Sequence, residues 1–251
     1  MNPLLYPFVS GNTFFIGAIV LAVCVALSYL SQELLVRVAL RFIASIGVIG
    51  IAFSTTVVPG LLYSLWMIVS ALWFVTMSLE SAARSKAAHI LRGLLILFSL
   101  LAIAFQIPHY RHPSLPKESF DRFYLIADSI SSGINQGETT WHELIRREHS
   151  VQVVNLSRPG ETLRSCLPQA KQIPPGRALV VLEIGGNDLL NRSPLSEFEK
   201  DLEELFRLVC TPERVVVLFE LPAPPFMTGY CRVQRTLAKR HGVKLIPRRV
   251  F

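Results

Sequence analysis

Long stretches without a charged side chain dominate the first 107 residues. No Asp, Glu, Lys or Arg occurs from residue 1 to 32, and none occurs from residue 42 to 79. An α-helix needs about 20 consecutive apolar residues to cross the hydrocarbon core of a bilayer. We therefore predict about four transmembrane helices: one at Phe14–Leu30, two within residues 42–79 that are separated by Pro59-Gly60, and one over residues 90–107.

The flanks of the first apolar run differ from those of a secretory signal peptide, which has a basic n-region and a small-residue cleavage site. Basic residues near the predicted spans lie in two segments, 31–41 and 80–92. They are Arg37, Arg41, Arg84, Lys86 and Arg92. With four spans both segments fall on one side of the membrane, which the positive-inside rule makes the cytoplasmic side. The chain after residue 107 is then predicted to be extracytoplasmic.

No Asp, Glu, Lys or Arg lies deep in a predicted span, which predicts an anchor rather than an ion pathway, because transport normally needs ionisable groups inside the membrane. We expect Arg92, at the edge of the fourth span, to snorkel towards the interface. Charge returns near residue 108, which predicts a proline-containing linker over residues 108–122 and a separate domain over residues 123–251.

Charge and cysteine content exclude several other classes of function. The net charge is +7, but the basic residues of the second half occur as isolated pairs, which does not indicate a nucleic-acid groove. Cys166, Cys210 and Cys231 are spaced too widely for a zinc site, and Cys24 lies in an apolar run. We predict no metal and leave a Cys210–Cys231 disulfide open.

Strands alternate with helices from residue 123 onwards. Short apolar runs at 123–127, 151–156, 178–184, 214–221 and 243–247 predict five strands, and the segments between them have helical patterns. One predicted helix, over residues 196–209, begins with a capping box of Ser196 and Glu199. This alternation predicts an α/β fold with a parallel sheet covered on both faces, in which ligands bind at the carboxyl ends of the strands.

Residues suited to acyl transfer follow three of these strands. Asp128-Ser129 follows the first strand, Gly160 lies in the loop after the second, and Gly185-Gly186-Asn187-Asp188 follows the third. Ser129 can supply a hydroxyl nucleophile and its own backbone N–H, while Gly160 and the Asn187 carboxamide can supply further donors to an oxyanion. Taken alone, a serine at a strand-to-helix turn is more often an ordinary helix cap than a nucleophile, so Ser129 by itself favours the capping interpretation.

In this order the three blocks resemble the SGNH (GDSL-type) hydrolase superfamily. Ala127-Asp128-Ser129 corresponds to G-D-S, Gly160 to the second-block glycine, and residues 185–188 to G-x-N-D; the resemblance covers residues 123 to about 246. It implies a flavodoxin-like three-layer fold and cofactor-independent cleavage of an ester substrate by an esterase, lipase or O-deacetylase. It also implies that Ser129 is the nucleophile, with Ser129, Gly160 and Asn187 as the oxyanion hole. The supporting residues would be Asp128, Gly185, Gly186 and Asp188.

The last block of that family, D-x-x-H, does not occur in this sequence. Without its histidine as general base, a serine hydroxyl is a poor nucleophile. We expect His142 and His149 to point away from Ser129 along a helix, His241 to lie at the amino end of the fifth strand, and His109 and His112 to lie in the linker.

Three hypotheses therefore stay open. The chain is an ester hydrolase that is truncated or impaired in the sequence given, a non-catalytic module that binds an acylated glycan or lipid, or a membrane scaffold or sensor in which the four helices matter most.

Overall fold

The computed structural model describes residues 6–30, 33–79, 83, 85–116, 120, 122–133, 139–149 and 151–250. The chain divides into two compact units, and each is described by itself. The first comprises Met1–Arg111 with Pro224–Thr228, and the second comprises His112–Ala223 with Gly229–Val250.

The described part of the first unit is formed mostly by helices α1 (Tyr6–Val9), α2 (Asn12–Leu27), α3 (Leu34–Phe53), α4 (Gly60–Ser78) and α5 (Lys86–Tyr110). Helices α3, α4 and α5 are long and apolar enough to cross a membrane, whereas α2 is apolar but has only 16 residues. Sixteen residues rise about 24 Å, less than the ~30 Å of a hydrocarbon core. The predicted spans thus correspond to three helices of spanning length and one shorter helix.

Helices α3 and α5 begin well before the predicted spans, and α2 begins at Asn12, two residues before its predicted start. Helix α3 begins at Leu34, so Arg37 and Arg41 lie on the helix and not in a loop, because leucine and arginine both favour helix. Helix α5 begins at Lys86, where the Ser85 hydroxyl accepts a hydrogen bond from the Ala88 N–H at 3.1 Å. It ends at Tyr110, three residues into the segment predicted as linker. Arg84, which we counted in the second basic segment, lies outside the described residues.

Arg92 is buried at 4% exposure, so the prediction that it snorkels is wrong. Its Nε donates to Ser28 Oγ at 3.1 Å and its Nη2 to the Ala83 carbonyl at 3.1 Å. The guanidinium also lies over the Tyr29 ring, 5.0 Å from the centroid. A guanidinium presents several donors in a fixed plane, so neighbouring segments of the bundle satisfy this charge internally.

Helices α2 and α3 pack with their backbones in contact. A Cβ added at Gly17 would lie 2.5 Å from the Gly47 carbonyl oxygen, and one added at Gly47 would lie 2.8 Å from the Gly17 carbonyl oxygen. Small residues at helix contacts permit this close approach in membranes. These two glycines therefore fix how closely α2 and α3 pack.

A five-stranded parallel sheet forms the centre of the second unit. Its strands are β1 (Arg122–Ala127), β2 (Gln152–Asn155), β3 (Ala178–Glu183), β4 (Arg214–Phe219) and β5 (Lys244–Ile246), in the order β2-β1-β3-β4-β5. Leu125 of β1 is opposite Asn155 of β2 and Val181 of β3. This is the flavodoxin-like strand order, so the predicted fold class is confirmed.

Helices connect these strands. They are α6 (Ser129–Ser132), α7 (Trp141–His149), α8 (Leu167–Ala170), α9 (Gly186–Leu190), α10 (Leu195–Val209) and α11 (Thr228–His241). The predicted capping box on α10 is wrong: Pro194 precedes the helix in an extended conformation, so Ser196 already lies inside the first turn. Gly242 follows α11 with φ 69°, a conformation that glycine adopts without strain.

Both faces of the sheet are buried. Alternate residues of β1 point to opposite faces, and Phe123, Leu125 and Ala127 pack on one face with Val181 and Val217. Ile126 of β1, which points to the other face, is also buried. All four cysteines are free, so Cys210 and Cys231 form no disulfide.

Candidate active site

The serine turn follows directly from β1. Strand β1 ends at Ala127, Asp128 caps the short helix α6, and Ser129 is its half-buried first residue. The Asp128 Oδ1 accepts the Ile130 N–H at 3.2 Å, and the Asp128 carbonyl accepts the Ser132 N–H at 3.0 Å. Backbone N–H groups in a first helical turn have no intrahelical acceptor, which suits the Ser129 N–H to an anionic ligand oxygen.

The loop after β2 carries Gly160 at the same edge of the sheet. The N–H of Arg158 donates to the Ala127 carbonyl at 3.2 Å, which ties this loop to the end of β1. Gly160 is exposed and has φ +75°, and a Cβ at this position would meet nothing within 4 Å. Glycine is therefore needed here for its backbone conformation and not for space.

The loop after β3 lies against the other two loops. A Cβ at Gly186 would lie 3.1 Å from the Asp128 Oδ2, so the start of α9 touches the serine turn. Asn187 Nδ2 donates to the Glu161 carbonyl at 2.8 Å, one residue beyond Gly160. Asp188 Oδ2 accepts the Leu163 N–H at 2.9 Å, which joins the same two loops a second time.

The structure therefore brings the three predicted blocks together in pairs. The first block meets the third through Asp128 and Gly186, and the second meets the third through Asn187 and Asp188. Gly185, with φ +104°, lets the chain turn from β3 into α9 while packing against Phe198. The oxyanion roles of Ser129, Gly160 and Asn187 stay predictions.

A group of polar residues beside the serine turn was not predicted. Ser131 Oγ donates to Glu183 Oε2 and accepts the Trp141 Nε1–H at 2.8 Å. Asn155 Nδ2 donates to the Ser131 carbonyl at 3.3 Å. A glutamate inside the otherwise apolar run 178–184 is the signal that could have revealed this group, because a buried carboxyl needs hydrogen-bond donors.

His142 belongs to this group, so its predicted position is wrong. Its Nε2 lies 3.0 Å from the Ser131 carbonyl oxygen, and the side chain is buried. We expected His142 to lie far along a helix from Ser129. Instead, Gly133 at φ +81° ends α6, and a separate helix α7 begins at Trp141, which places His142 in a first turn near Ser131.

Burial dominates the electrostatics of three carboxyl groups at this edge of the sheet. It raises the pKa values of Asp128, Glu183 and Asp188 above the ordinary range. Hydrogen bonds partly oppose the effect: the Ile130 N–H lowers the pKa of Asp128, and donors on Ser131 and Trp141 lower that of Glu183. These groups hold their protons to higher pH than exposed carboxyls do.

A polar cavity of about 380 Å³ lies next to the second and third blocks. Thr162 lines it two residues after Gly160, and Asp188 lines it one residue after Asn187. The other lining residues are Arg164, Ser193, Glu197, Phe198, Lys200 and Asp201. Arg164 Nη1 is 3.1 Å from Asp201 Oδ1, so charges of both signs face this space.

Histidine 241 lies in a different environment, at the end of α11, where its Nε2 is 3.8 Å from Glu203 Oε1. Within the described part of the chain, no three His, Cys, Asp or Glu residues are grouped so that they could hold a metal ion.

Comparison with known proteins gives a family match for the sheet domain. Residues 128–249 match the sequence model of the GDSL-like Lipase/Acylhydrolase family. No match to the sequence is found among curated proteins. Three similar solved structures illustrate the range of likeness.

The esterase EstA from Pseudoalteromonas sp. is 19% identical, covers 50% of this chain and 76% of its own, and has a TM-score of 0.45. AlinE4, described as an SGNH-hydrolase family esterase, is 22% identical, covers 53% and 78%, and has a TM-score of 0.45. TesA is 26% identical, covers 50% and 77%, and has a TM-score of 0.43.

Proposed function

We propose, on the premise that residues 128–249 form a domain of the GDSL-like lipase/acylhydrolase family, that the protein is a membrane-anchored serine ester hydrolase. Ser129 is the nucleophile, and the Ser129 N–H, the Gly160 N–H and the Asn187 carboxamide bind the oxyanion. One observation carries the proposal. Asn187 of the third block donates to the Glu161 carbonyl beside the second block, and Asp128 of the first block lies against Gly186 of the third. Both contacts are at the same edge of the sheet.

The donors suit the charge that develops during ester cleavage. A carboxamide nitrogen has two hydrogens, and the Glu161 carbonyl accepts only one of those on Asn187, which leaves the second for an oxyanion. Attack by Ser129 Oγ on the ester carbonyl forms an acyl-enzyme and releases the alcohol, after which water releases the acid. Preorganised donors stabilise the oxyanion of both tetrahedral intermediates.

The sequence does not supply this site with the general base of the D-x-x-H block. The sequence has no D-x-x-H, and a serine without a base is poorly nucleophilic. We therefore propose that the chain as given hydrolyses esters slowly, by attack of the Ser129 hydroxyl without a general base and with the oxyanion donors in place.

The N-terminal helices support membrane anchoring, since three of them have spanning length. The placement of Lys86 and Arg41 supports a multi-pass topology with the hydrolase domain outside the cytoplasm. The polar cavity beside Thr162 and Asp188 supports an ester whose alcohol part is polar. A single surface cysteine introduced beyond residue 122 tests the topology by its labelling with a membrane-impermeant reagent in intact cells. If that cysteine is labelled only after the cells are opened, the proposed topology is contradicted.

Hydrolysis of p-nitrophenyl acetate by the full chain in detergent micelles tests the catalytic proposal. We expect a slow rate that falls to background in Ser129→Ala and is unchanged in Ser196→Ala, a serine on the exposed side of α10. Added imidazole should raise the Ser129-dependent rate, because it can act as the missing base.

Equal rates for Ser129→Ala and the unchanged protein, with and without imidazole, would contradict the enzyme proposal. The absence of D-x-x-H favours one alternative, a non-catalytic binding module. That alternative predicts saturable binding of an acetylated sugar with no Ser129-dependent release of acetate.

A further inference from the structure

Ser131, two residues after the proposed nucleophile, is 0% exposed and is held by its side chain. The Trp141 Nε1–H donates to Ser131 Oγ at 2.8 Å. An indole nitrogen can only donate, so the serine oxygen is the acceptor and its own hydrogen is free to go to Glu183 Oε2. Indole, hydroxyl and carboxyl thus form one chain of hydrogen bonds with a single direction.

The backbone of Ser131 is held as well. Asn155 Oδ1 accepts the Ser157 N–H at 3.0 Å, which fixes the carboxamide orientation and turns its nitrogen towards Ser131. That nitrogen lies 3.3 Å from the Ser131 carbonyl oxygen and 2.9 Å from His142 Nε2. Asn155, the Ser131 carbonyl and the His142 imidazole therefore meet at one point beside the serine turn.

These contacts come from three separate elements. Glu183 is the last residue of β3, Asn155 is the last residue of β2, and Trp141 begins α7. The helix they hold, Ser129–Ser132, has only four residues, too few for a helix to be stable by itself. Its position must therefore come from tertiary contacts, of which those to Ser131 are the most buried.

We propose that Ser131 and Glu183 are positioning residues for Ser129. The five residues Ser131, Trp141, His142, Asn155 and Glu183, here named the Ser131 clamp, hold the turn so that the Ser129 hydroxyl faces the loops after β2 and β3. This inference rests on the proposed function of Ser129, and it adds a support that acts through the backbone and does not touch the ester.

One bond of the Ser131 clamp depends on the charge of Glu183. A carboxylate is a stronger acceptor than an amide oxygen, so the Ser131–Glu183 bond is of the charge-assisted kind when Glu183 is ionised. The titratable groups that face Glu183 are Asp128, whose negative charge opposes ionisation, and His142, which favours it. Glu183→Gln keeps the shape of the side chain and one acceptor oxygen but removes the charge. Ser131→Ala removes the hydroxyl that links Trp141 to Glu183.

The rate of alkylation at position 129 tests the clamp without requiring ester hydrolysis. The full chain carrying Ser129→Cys is treated with iodoacetamide in detergent micelles, alone and combined with Ser131→Ala, Glu183→Gln or Trp141→Phe, and labelling is measured by peptide mass spectrometry. We expect Ser131→Ala to raise the rate at position 129 about tenfold, as expected for loss of a buried charge-assisted hydrogen bond, and Glu183→Gln to raise it severalfold.

Two internal controls separate loosening of the turn from unfolding. Cys166 is 0% exposed and forms none of the hydrogen bonds of the clamp, so its labelling should stay slow in every variant that remains folded. Ser165→Ala removes a comparable hydroxyl bond, from Ser165 Oγ to Glu161, and should leave labelling at position 129 unchanged.

The hydrolysis assay on the Ser129-containing variants gives the second readout. The proposal expects the Ser129-dependent rate to fall in Ser131→Ala while the alkylation rate rises, with KM for the ester nearly unchanged. Unchanged alkylation in both Ser131→Ala and Glu183→Gln, with Cys166 still protected, would overturn the clamp. Faster alkylation with undiminished Ser129-dependent hydrolysis would overturn it too. If the unchanged protein shows no Ser129-dependent hydrolysis, the proposed function is refuted. The alkylation rates at position 129 still show whether the Ser131 clamp holds the serine turn.

Discussion

Gly185→Ala should destabilise the sheet domain more than alanine does at any other described glycine of its loops. Gly185 has φ +104°, and its Cβ would lie 3.2 Å from Phe198 Cε2 and 3.3 Å from Leu221 Cδ1. A left-handed conformation costs alanine roughly 1–2 kcal/mol. Overpacking a well-filled core costs about 1–3 kcal/mol more. The two costs together predict a loss of about 2–5 kcal/mol in the free energy of unfolding.

Gly160→Ala is the matched control, because Gly160 also has positive φ but would place a Cβ with nothing within 4 Å. It should cost only the conformational part, roughly 1–2 kcal/mol. Urea unfolding of the full chain in micelles, followed by Trp141 emission with Trp141→Phe as the baseline, measures both. With a urea dependence of about 2 kcal/mol per M, the midpoint of Gly185→Ala should lie about 1 M below that of Gly160→Ala. Equal midpoints would refute the steric part of this reasoning.

Three further predictions concern the bundle and a buried carboxyl. Gly47→Leu should separate α2 from α3 and lower the melting temperature of the micellar protein, whereas Gly93→Leu, where a Cβ meets nothing within 4 Å, should be tolerated. Arg92→Lys should cost about 1–2 kcal/mol in thermal unfolding, because an ammonium cannot reproduce the planar set of donors; an unchanged melting temperature would contradict this. Burial raises the pKa of Glu183, so the folded state holds its proton longer than the unfolded state, and stability falls as pH rises from the ordinary glutamate pKa to the raised one. Glu183→Gln should remove that slope in urea unfolding, and parallel pH profiles would count against it.

The sheet and its three loops could be predicted because they depend on local sequence. Short apolar runs that alternate with helical segments lead to parallel strands, and parallel strands place their following loops at one edge. Asp128, Gly160 and Asn187 could therefore be assigned to one edge before any coordinates were known. The Asp128–Gly186 contact joins loops of the neighbouring strands β1 and β3, whereas the Asn187–Glu161 bond reaches across β1, which lies between β2 and β3.

Contacts between distant segments could not be predicted in this way. His142 was misplaced because the distance was counted along one helix, and the left-handed Gly133 that interrupts it was not recognised. Arg92 was expected at the interface because a hydropathy pattern cannot reveal the Ser28 and Ala83 oxygens that bind its guanidinium. In both cases the partners lie on other elements.

The position of β1 between β2 and β3 has a consequence for synthesis. A ribosome makes β1 and the serine turn first, but both strands that flank β1, and the residues that hold Ser131, are made later. Until residues 178–188 have emerged and Leu125 has paired with Val181, the nascent chain has neither Glu183 nor Asn187 in place. The serine is therefore translated well before its surroundings exist, and they are completed only as the third strand joins the sheet.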